Sequence, residues 1–248
     1  MEQRYAGGPH TAARTAVVWA VLRREIDRAA VAREQLTVVD VGGGTGGFAV
    51  PLAQAGHVVT VVDASPDALA ALTRRAAEAG VADRVSAVQG DADALASLVT
   101  PGSADLVLCH SVLEVVDAPS DVVTALATTL RPGGAASVIV ANRVAAVLGR
   151  AMAGHLDTAA ALLTDPDGTA GERDTVRRRF DPDSATELLG KAGLVVAEIH
   201  GVRVIADLVP GSVLERDHDA LVQFELATAG LRPYRDIASR VHLLARRT

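Results

Sequence analysis

A single cysteine, Cys109, stands in the whole chain, which excludes an internal disulfide and any multi-cysteine metal site and fits a reducing compartment. In "LVLCH" it reads as a small buried apolar residue. Lysine is equally scarce, Lys191 against 23 arginines, and with so many alanines that looks like compositional bias rather than a functional signal. Aromatic residues number six, few for a surface that stacks on unpaired nucleic-acid bases. No run reaches membrane-span length without a charge, and "MEQRYAGGPH" lacks an apolar signal core, so a soluble, cytoplasmic protein with no membrane partner is expected. The seven histidines are scattered rather than spaced as ligands, and no metal is expected. The net charge of −6 argues against coating nucleic acid by bulk attraction. The whole deficit lies in residues 1–124, with 9 basic against 15 acidic, whereas residues 125–248 balance at 15 each, which leaves room for a local basic patch there.

What the chain does have is 248 residues, 49% of them hydrophobic, enough for one large α/β domain over 1–248. From 36 to 141, β-branched runs alternate with amphipathic segments, the pattern of βαβ units and a parallel sheet. The expected strands are "LTVVDV" (36–41), "HVVTVVD" (57–63), "VSAVQG" (85–90), "DLVLCH" (105–110) and "AASVIVA" (135–141). "SPDALAALTRRAAEAG" reads as a helix capped by Ser65, with Pro66 at its first position and Gly80 closing it. "APSDVVTALATTLRPGG" reads as a helix broken at Pro132. Residues 1–35 form a leading part with an amphipathic helix over 10–34, in which Val17, Val18, Val21 and Leu22 share one face. Residues 142–180 show no strand pattern and read as one or two helices plus the polar turn "TDPDGTAGERD", placed as an inserted helical lid would be. Residues 181–248 add helices at 183–192 and 212–229 and the strands "LVVAEIHGVRVIAD" and "RVHLLAR".

The stretch "TVVDVGGGTGGFAV" is a strand ending in Asp40, a turn rich in glycine, and a helix start. Gly42, Gly44 and Gly47 fit the G-x-G-x-x-G spacing of dinucleotide-binding folds, a weak match by itself. From Asp40 the same loop reads acid-x-G-x-G-x-G (Asp40, Gly42, Gly44, Gly46), which resembles the first signature of Rossmann-like S-adenosylmethionine-dependent methyltransferases. Asp63 ends the second strand, where a carboxylate can take both ribose hydroxyls, and this is common to both readings. "GDADAL", with Asp91 and Asp93 after the third strand, suits an adenine edge as the methyltransferase pattern implies. "CHSVLEVV" and "LRPGG" complete that series in order. The resemblance implies an α/β, doubly wound, mostly parallel seven-stranded sheet with the last strand antiparallel and a helical insertion after strand 5.

A narrower likeness rests on "CHSVLEVV" (109–116), "GVRVIADLVP" (201–210) and "PYRDIASRVHLLAR" (233–246). From about residue 8 to the C-terminus the chain resembles the tRNA 5-carboxymethoxyuridine methyltransferases, which esterify the carboxylate of a modified wobble uridine. The resemblance implies S-adenosyl-L-methionine as cofactor, S-adenosyl-L-homocysteine as product and tRNA as partner. It also implies roles: Arg14 salt-bridging the methionyl carboxylate, Gly42, Gly43 and Gly44 as the loop, Asp63 on the ribose, Ala92 and Asp93 on the adenine, and His110 beside the methionyl group. A carboxylate acceptor is already ionised at neutral pH and needs a cation to orient it rather than a general base. Arg143, just past the fifth strand, and Arg203, a charge inside an apolar strand pattern, are the first candidates, with Arg235 and Arg240 behind them. If Arg203 is structural, Asp207 is its expected partner. Arg177, Arg178 and Arg179 could meet tRNA phosphates or form a solvated turn. A small-molecule O- or N-methyltransferase is the alternative function; a non-enzymatic adaptor fits poorly with an intact loop and Asp63.

Overall fold

A computed structural model of the chain describes residues 9–171, 174–210 and 216–248, with side chains from Ala13 onward in the first helix. The elements run α1 (Pro9–Ala30), β1 (Thr37–Val41), α2 (Ala49–Gln54), β2 (Val58–Asp63), α3 (Pro66–Glu78), β3 (Val85–Gln89), α4 (Leu95–Leu98), β4 (Ala104–His110), α5 (Pro119–Thr129) and β5 (Leu130–Ala141). They continue through α6 (Arg143–Met152), α7 (Leu156–Thr164), α8 (Pro182–Lys191), β6 (Leu194–Val202), α9 (His218–Thr228), α10 (Tyr234–Ile237) and β7 (Arg240–Arg247).

The strands form one seven-stranded sheet in the order β3-β2-β1-β4-β5-β7-β6. The first five pair in parallel, and β7 runs antiparallel between β5 and β6. This is the doubly wound α/β architecture expected, with the last strand reversed. Central strands are apolar on both faces, as a parallel sheet covered by helices on each side demands. In β4, Leu106 and Leu108 face the layer of α1, α2 and α3, while Val107 and Cys109 face that of α4, α5 and α8. Val17, Val18, Val21 and Leu22 of α1 are all buried in the first layer, and Cys109 is a buried free thiol. Burial of an apolar side chain of this size contributes on the order of 2 kcal/mol, so the two layers supply most of the driving force.

Local signals set several boundaries. Ser65 Oγ accepts from Ala68 N at 3.2 Å, Pro66 occupies the first turn of α3, and Gly80 follows its end at φ +69°. Two helices, α6 and α7, occupy the first part of 142–180.

Three expectations need correction. The segment "LRPGG" does not belong to the helix before it: α5 ends at Thr129 and Leu130 already pairs with Ala104, after which the register slips so that Leu106 pairs with Ala135. Residues 131–134 therefore bulge from the ladder, where Pro132 loses no ladder donor and Gly133 takes φ +76°. Next, "LVVAEIHGVRVIAD" is a strand only to Val202, because Arg203 turns into the left-handed region at φ +59°. Finally, the helix expected over 212–229 is seen as His218–Thr228; residues 211–215 lie outside those described.

The turn after β6 is held by one carboxylate. Glu225 of α9 is wholly buried and accepts from Val204 N, Ile205 N and Ala206 N at 2.8, 2.9 and 2.8 Å. Three orphan backbone donors are thus satisfied at one point, and the direction of residues 203–207 follows from it. Glu225→Ala should lower unfolding free energy by about 3 kcal/mol through those unpaired donors. Urea unfolding checks this; a loss under about 0.5 kcal/mol would mean that the turn stands without its carboxylate.

Candidate functional site

At the C-terminal ends of β1 to β4 the sheet opens into a cleft of about 520 Å³, lined by Gly42, Asp63, Asp91, Ala92, Asp93 and His110 together with Val62, Ala64, Gly90, Ser111, Val112, Val115, Val116 and Asp117. Clefts of this size beyond strand ends in open α/β sheets take small ligands. Six residues expected at the site thus share one wall.

The turn out of β1 leaves no room for a side chain at Gly43, and its backbone at Gly44 is left-handed. A Cβ on Gly43 would lie 2.5 Å from Asp40 Oδ2, and Gly44, at φ +55°, donates its N–H to Asp63 Oδ2 at 2.8 Å. The other Asp63 oxygen accepts from Ser65 N at 2.9 Å, which fixes the carboxylate at the rim of β2 with lone pairs left for a ligand's hydroxyls. Asp40 is buried beneath the loop, and its Oδ2 has no partner among the described residues. Burial, and secondarily the charge of Asp63, push its carboxyl up to about 7.

His110 ends β4. Its ring lies edge-on to Phe48 at 4.8 Å, and Phe48 meets Trp19 of α1 at 4.9 Å, so two aromatic rings tie α1 to the end of β4. Nε2 is 2.9 Å from Ser137 Oγ, whereas Nδ1, shielded from solvent, has no partner among the described residues. Burial pushes the imidazole down to about 3. Ser111, next in the chain, holds φ +60°, a conformation that costs a non-glycine residue about 1 kcal/mol or more and that recurs at ligand sites.

The expected arginines are dispersed among several partners, and none lines the cleft wall. Arg14 and Arg203 meet at Asp207: Arg14 Nη2 is 3.2 Å from Oδ1 and Arg203 Nη1 is 3.5 Å from Oδ2. Arg203 therefore has the structural partner that its sequence context pointed to, although at a turn rather than inside a strand. Its Nε is buried without a partner. Arg143 begins α6, which is capped by the side chain of Asn142, and donates from Nη2 to the carbonyl of Pro166 at 2.5 Å. Arg235 pairs with Asp236, and Arg240 with the buried Glu114 at 2.5 Å. The run 177–179 is engaged as well: Arg177 with Asp117, Arg178 with the carbonyl of Val116, and Arg179 with Asp174. It ties the cleft lip at 116–117 rather than offering a bare basic strip.

Sequence reasoning missed Val112, Val115, Val116 and Asp117 as wall residues, Phe48 as the neighbour of His110, and Ser137, whose hydroxyl could have been flagged only by knowing which strand lies beside β4. Among the described residues, no group of three or more His, Cys, Asp and Glu side chains could hold a metal, and no helix is long and apolar enough to cross a membrane.

The cleft's groups suit an adenosyl amino acid: a fixed carboxylate for a ribose, a turn with no room for a Cβ at Gly43, and one shielded acceptor, His110 Nδ1, that has no partner among the described residues. Comparison with known proteins agrees. Residues 39–138 match the family described as "Methyltransferase domain". The tRNA 5-carboxymethoxyuridine methyltransferase of Escherichia coli is 31% identical over 94% of this chain and 88% of its own length. The ubiquinone biosynthesis O-methyltransferase of Xanthomonas euvesicatoria is 32% identical over 66% of this chain and 65% of its own. Among solved structures, geranyl diphosphate C-methyltransferase from Streptomyces coelicolor, in complex with S-adenosyl-L-homocysteine, shares the fold at a TM-score of 0.57 and 16% identity, over 91% of this chain and 76% of that one.

A pH dependence follows from His110. Its pKa is near 3 in the native state against an ordinary 6.5, so below pH 6.5 the unfolded chain takes up the proton first. Its contribution is present above 6.5 and drains away as the pH falls toward 3. Urea unfolding between these values should show stability falling with acid, and His110→Phe should reduce the slope by about one proton. An unchanged slope would mean that the imidazole is not held neutral.

Proposed function

The chain belongs to the S-adenosylmethionine-dependent methyltransferases, in the family that includes the tRNA 5-carboxymethoxyuridine methyltransferases, and on that premise we propose that it methylates the carboxylate of 5-carboxymethoxyuridine in tRNA. One observation carries the reading beyond the family: Arg14 and Arg203 share the single carboxylate of Asp207, leaving one net positive charge and unused N–H donors. Such a cluster suits further carboxylates, and both the donor and the proposed acceptor bring one.

Bound S-adenosylmethionine supplies an electrophilic methyl on a sulfonium. The chain's part is alignment and exclusion of water. Asp63 holds the ribose, Ala92 and Asp93 meet the adenine, with Asp91 alongside, and the backbone of Gly42, Gly43 and Gly44 lets the ligand approach without a Cβ in the way. Arg14 takes the methionyl carboxylate. Arg203 orients the acceptor carboxylate, which is ionised at neutral pH and so asks for no general base. Arg143 braces the 165–168 turn through the carbonyl of Pro166, and α6 and α7 would cover the acceptor side.

A second reading, methylation of a small hydroxyl or amine compound, is favoured by the pairing of Arg177, Arg178 and Arg179 with their own neighbours, which leaves the lip without a ready phosphate contact. Nucleoside mass spectrometry decides between them. Purified protein with S-adenosylmethionine should add one methyl to 5-carboxymethoxyuridine in tRNA, and Arg14→Ala should lower the yield at least tenfold. No methylated nucleoside from a sample that binds the cofactor would transfer the proposal to a small-molecule acceptor. Asp63→Ala should weaken S-adenosylhomocysteine binding by about a hundredfold in calorimetry, since two hydrogen bonds to a charged group are removed. Unaltered affinity would remove Asp63 from the site.

A further inference from the structure

Behind His110 a file of buried polar side chains crosses the sheet. Ser137 Oγ of β5 lies 2.9 Å from His110 Nε2 and 2.9 Å from His242 Nε2 of β7. His242 Nδ1 lies 3.3 Å from His200 Nδ1 of β6, the two rings stacked at 5.5 Å. His200 Nε2 lies 3.2 Å from Glu198 Oε2, which also accepts from Arg24 Nη2 of α1 at 2.7 Å. Ser137 and His242 are wholly buried.

Hydrogen-bond logic runs along this file in one direction. Glu198, paired with Arg24, only accepts, so the proton of His200 sits on Nε2 and its Nδ1 is bare. His242 must then donate from Nδ1, and its Nε2 is bare. That nitrogen accepts the Ser137 hydroxyl proton, and Ser137 Oγ in turn accepts from His110 Nε2–H. His110 is left with a bare Nδ1, the atom that has no partner among the described residues. Each ring is neutral in this scheme, in keeping with burial, which pushes all three imidazoles below their ordinary value. The charged groups facing the file are Glu198, Arg24 and Arg235 at the His200 end.

What meets that lone pair follows from the layout of the cleft, on the methyltransferase reading above. The carboxylates of Asp63, Asp91 and Asp93 mark the ends of β2 and β3 as the nucleoside side. His110 ends β4, two strands beyond β2, about 10 Å across at the usual strand spacing. A ligand with its ribose over Asp63 and its chain laid across β1 brings its amino-acid end to His110. We propose that Ser137, His242 and His200 are positioning residues that hold His110 in its Nε2–H form, so that its bare Nδ1 accepts an N–H from the methionyl ammonium of the cofactor.

Two-bond nitrogen–proton NMR on histidine-labelled protein tests this at neutral pH, with calorimetry of S-adenosylhomocysteine on the same samples. The wild type should show His110 as the neutral Nε2–H form and His242 as the rarer Nδ1–H form. Ser137→Ala should give a mixture of forms at His110 and about tenfold weaker binding, the worth of one hydrogen bond to a charged group. Ser137→Thr, which keeps the hydroxyl, should restore both. A wild-type His110 that carries its proton on Nδ1, or on both nitrogens, would overturn the proposal without any variant. The expected forms with unweakened binding in folded Ser137→Ala would overturn the role toward the cofactor. Wild-type protein that does not bind S-adenosylhomocysteine at all would instead sink the cofactor site itself, while the NMR spectrum would still report the relay.

Discussion

The backbone leaving β1 passes between two carboxylates, and the rest of the site depends on that passage. Asp40 lies beneath Gly43, where it leaves no room for a side chain, and Asp63 accepts the N–H of Gly44. The two acids are unlike in consequence. Asp63 is satisfied by Gly44 N and Ser65 N and forms a rigid acceptor at the cleft rim. Asp40 is buried, has one oxygen without a partner among the described residues, and is pushed up to about 7 by burial and by the charge of Asp63.

Outside the cleft wall the structure is assembled by longer-range contacts. α1 brings Arg14 and, through Trp19 and Phe48, closes on His110. The turn after β6 brings Arg203 and Asp207, and Glu225 from α9 fixes that turn by taking three backbone N–H groups. Arg240 of β7 reaches the buried Glu114, which links the lip of β4 to the reversed strand. The antiparallel β7 thus matters twice: it carries Arg240 and it inserts His242 between β5 and β6.

Legibility from sequence follows the same division. Glycine spacing, Asp63 and the Asp91–Asp93 pair are local features that recur at successive strand ends, so their order along the chain is enough to place them. The likeness of the second half to tRNA-modifying relatives is legible in short segments such as "GVRVIADLVP". The Arg203–Asp207 pair is four residues apart and is readable as a structural alternative. By contrast, Glu114 and Arg240 are 126 residues apart, and the histidine file exists only because β7 lies between β5 and β6 in that register. The bulge at "LRPGG" is hidden for another reason: Pro132 and the glycines signal a break but not whether helix or strand is interrupted. Arg203 looks like a strand residue because the left-handed turn that removes it is imposed by Glu225, far downstream in the chain.

A crystal structure grown with S-adenosylhomocysteine tests whether one cleft over β1 to β4 seats S-adenosylmethionine with its nucleoside at Asp63 and its amino-acid end at His110. Both ribose hydroxyls should lie on the Asp63 carboxylate and the ligand's amino group within hydrogen-bond distance of His110 Nδ1. A ligand lying elsewhere, or reversed so that its adenine sits against His110, would contradict that placement.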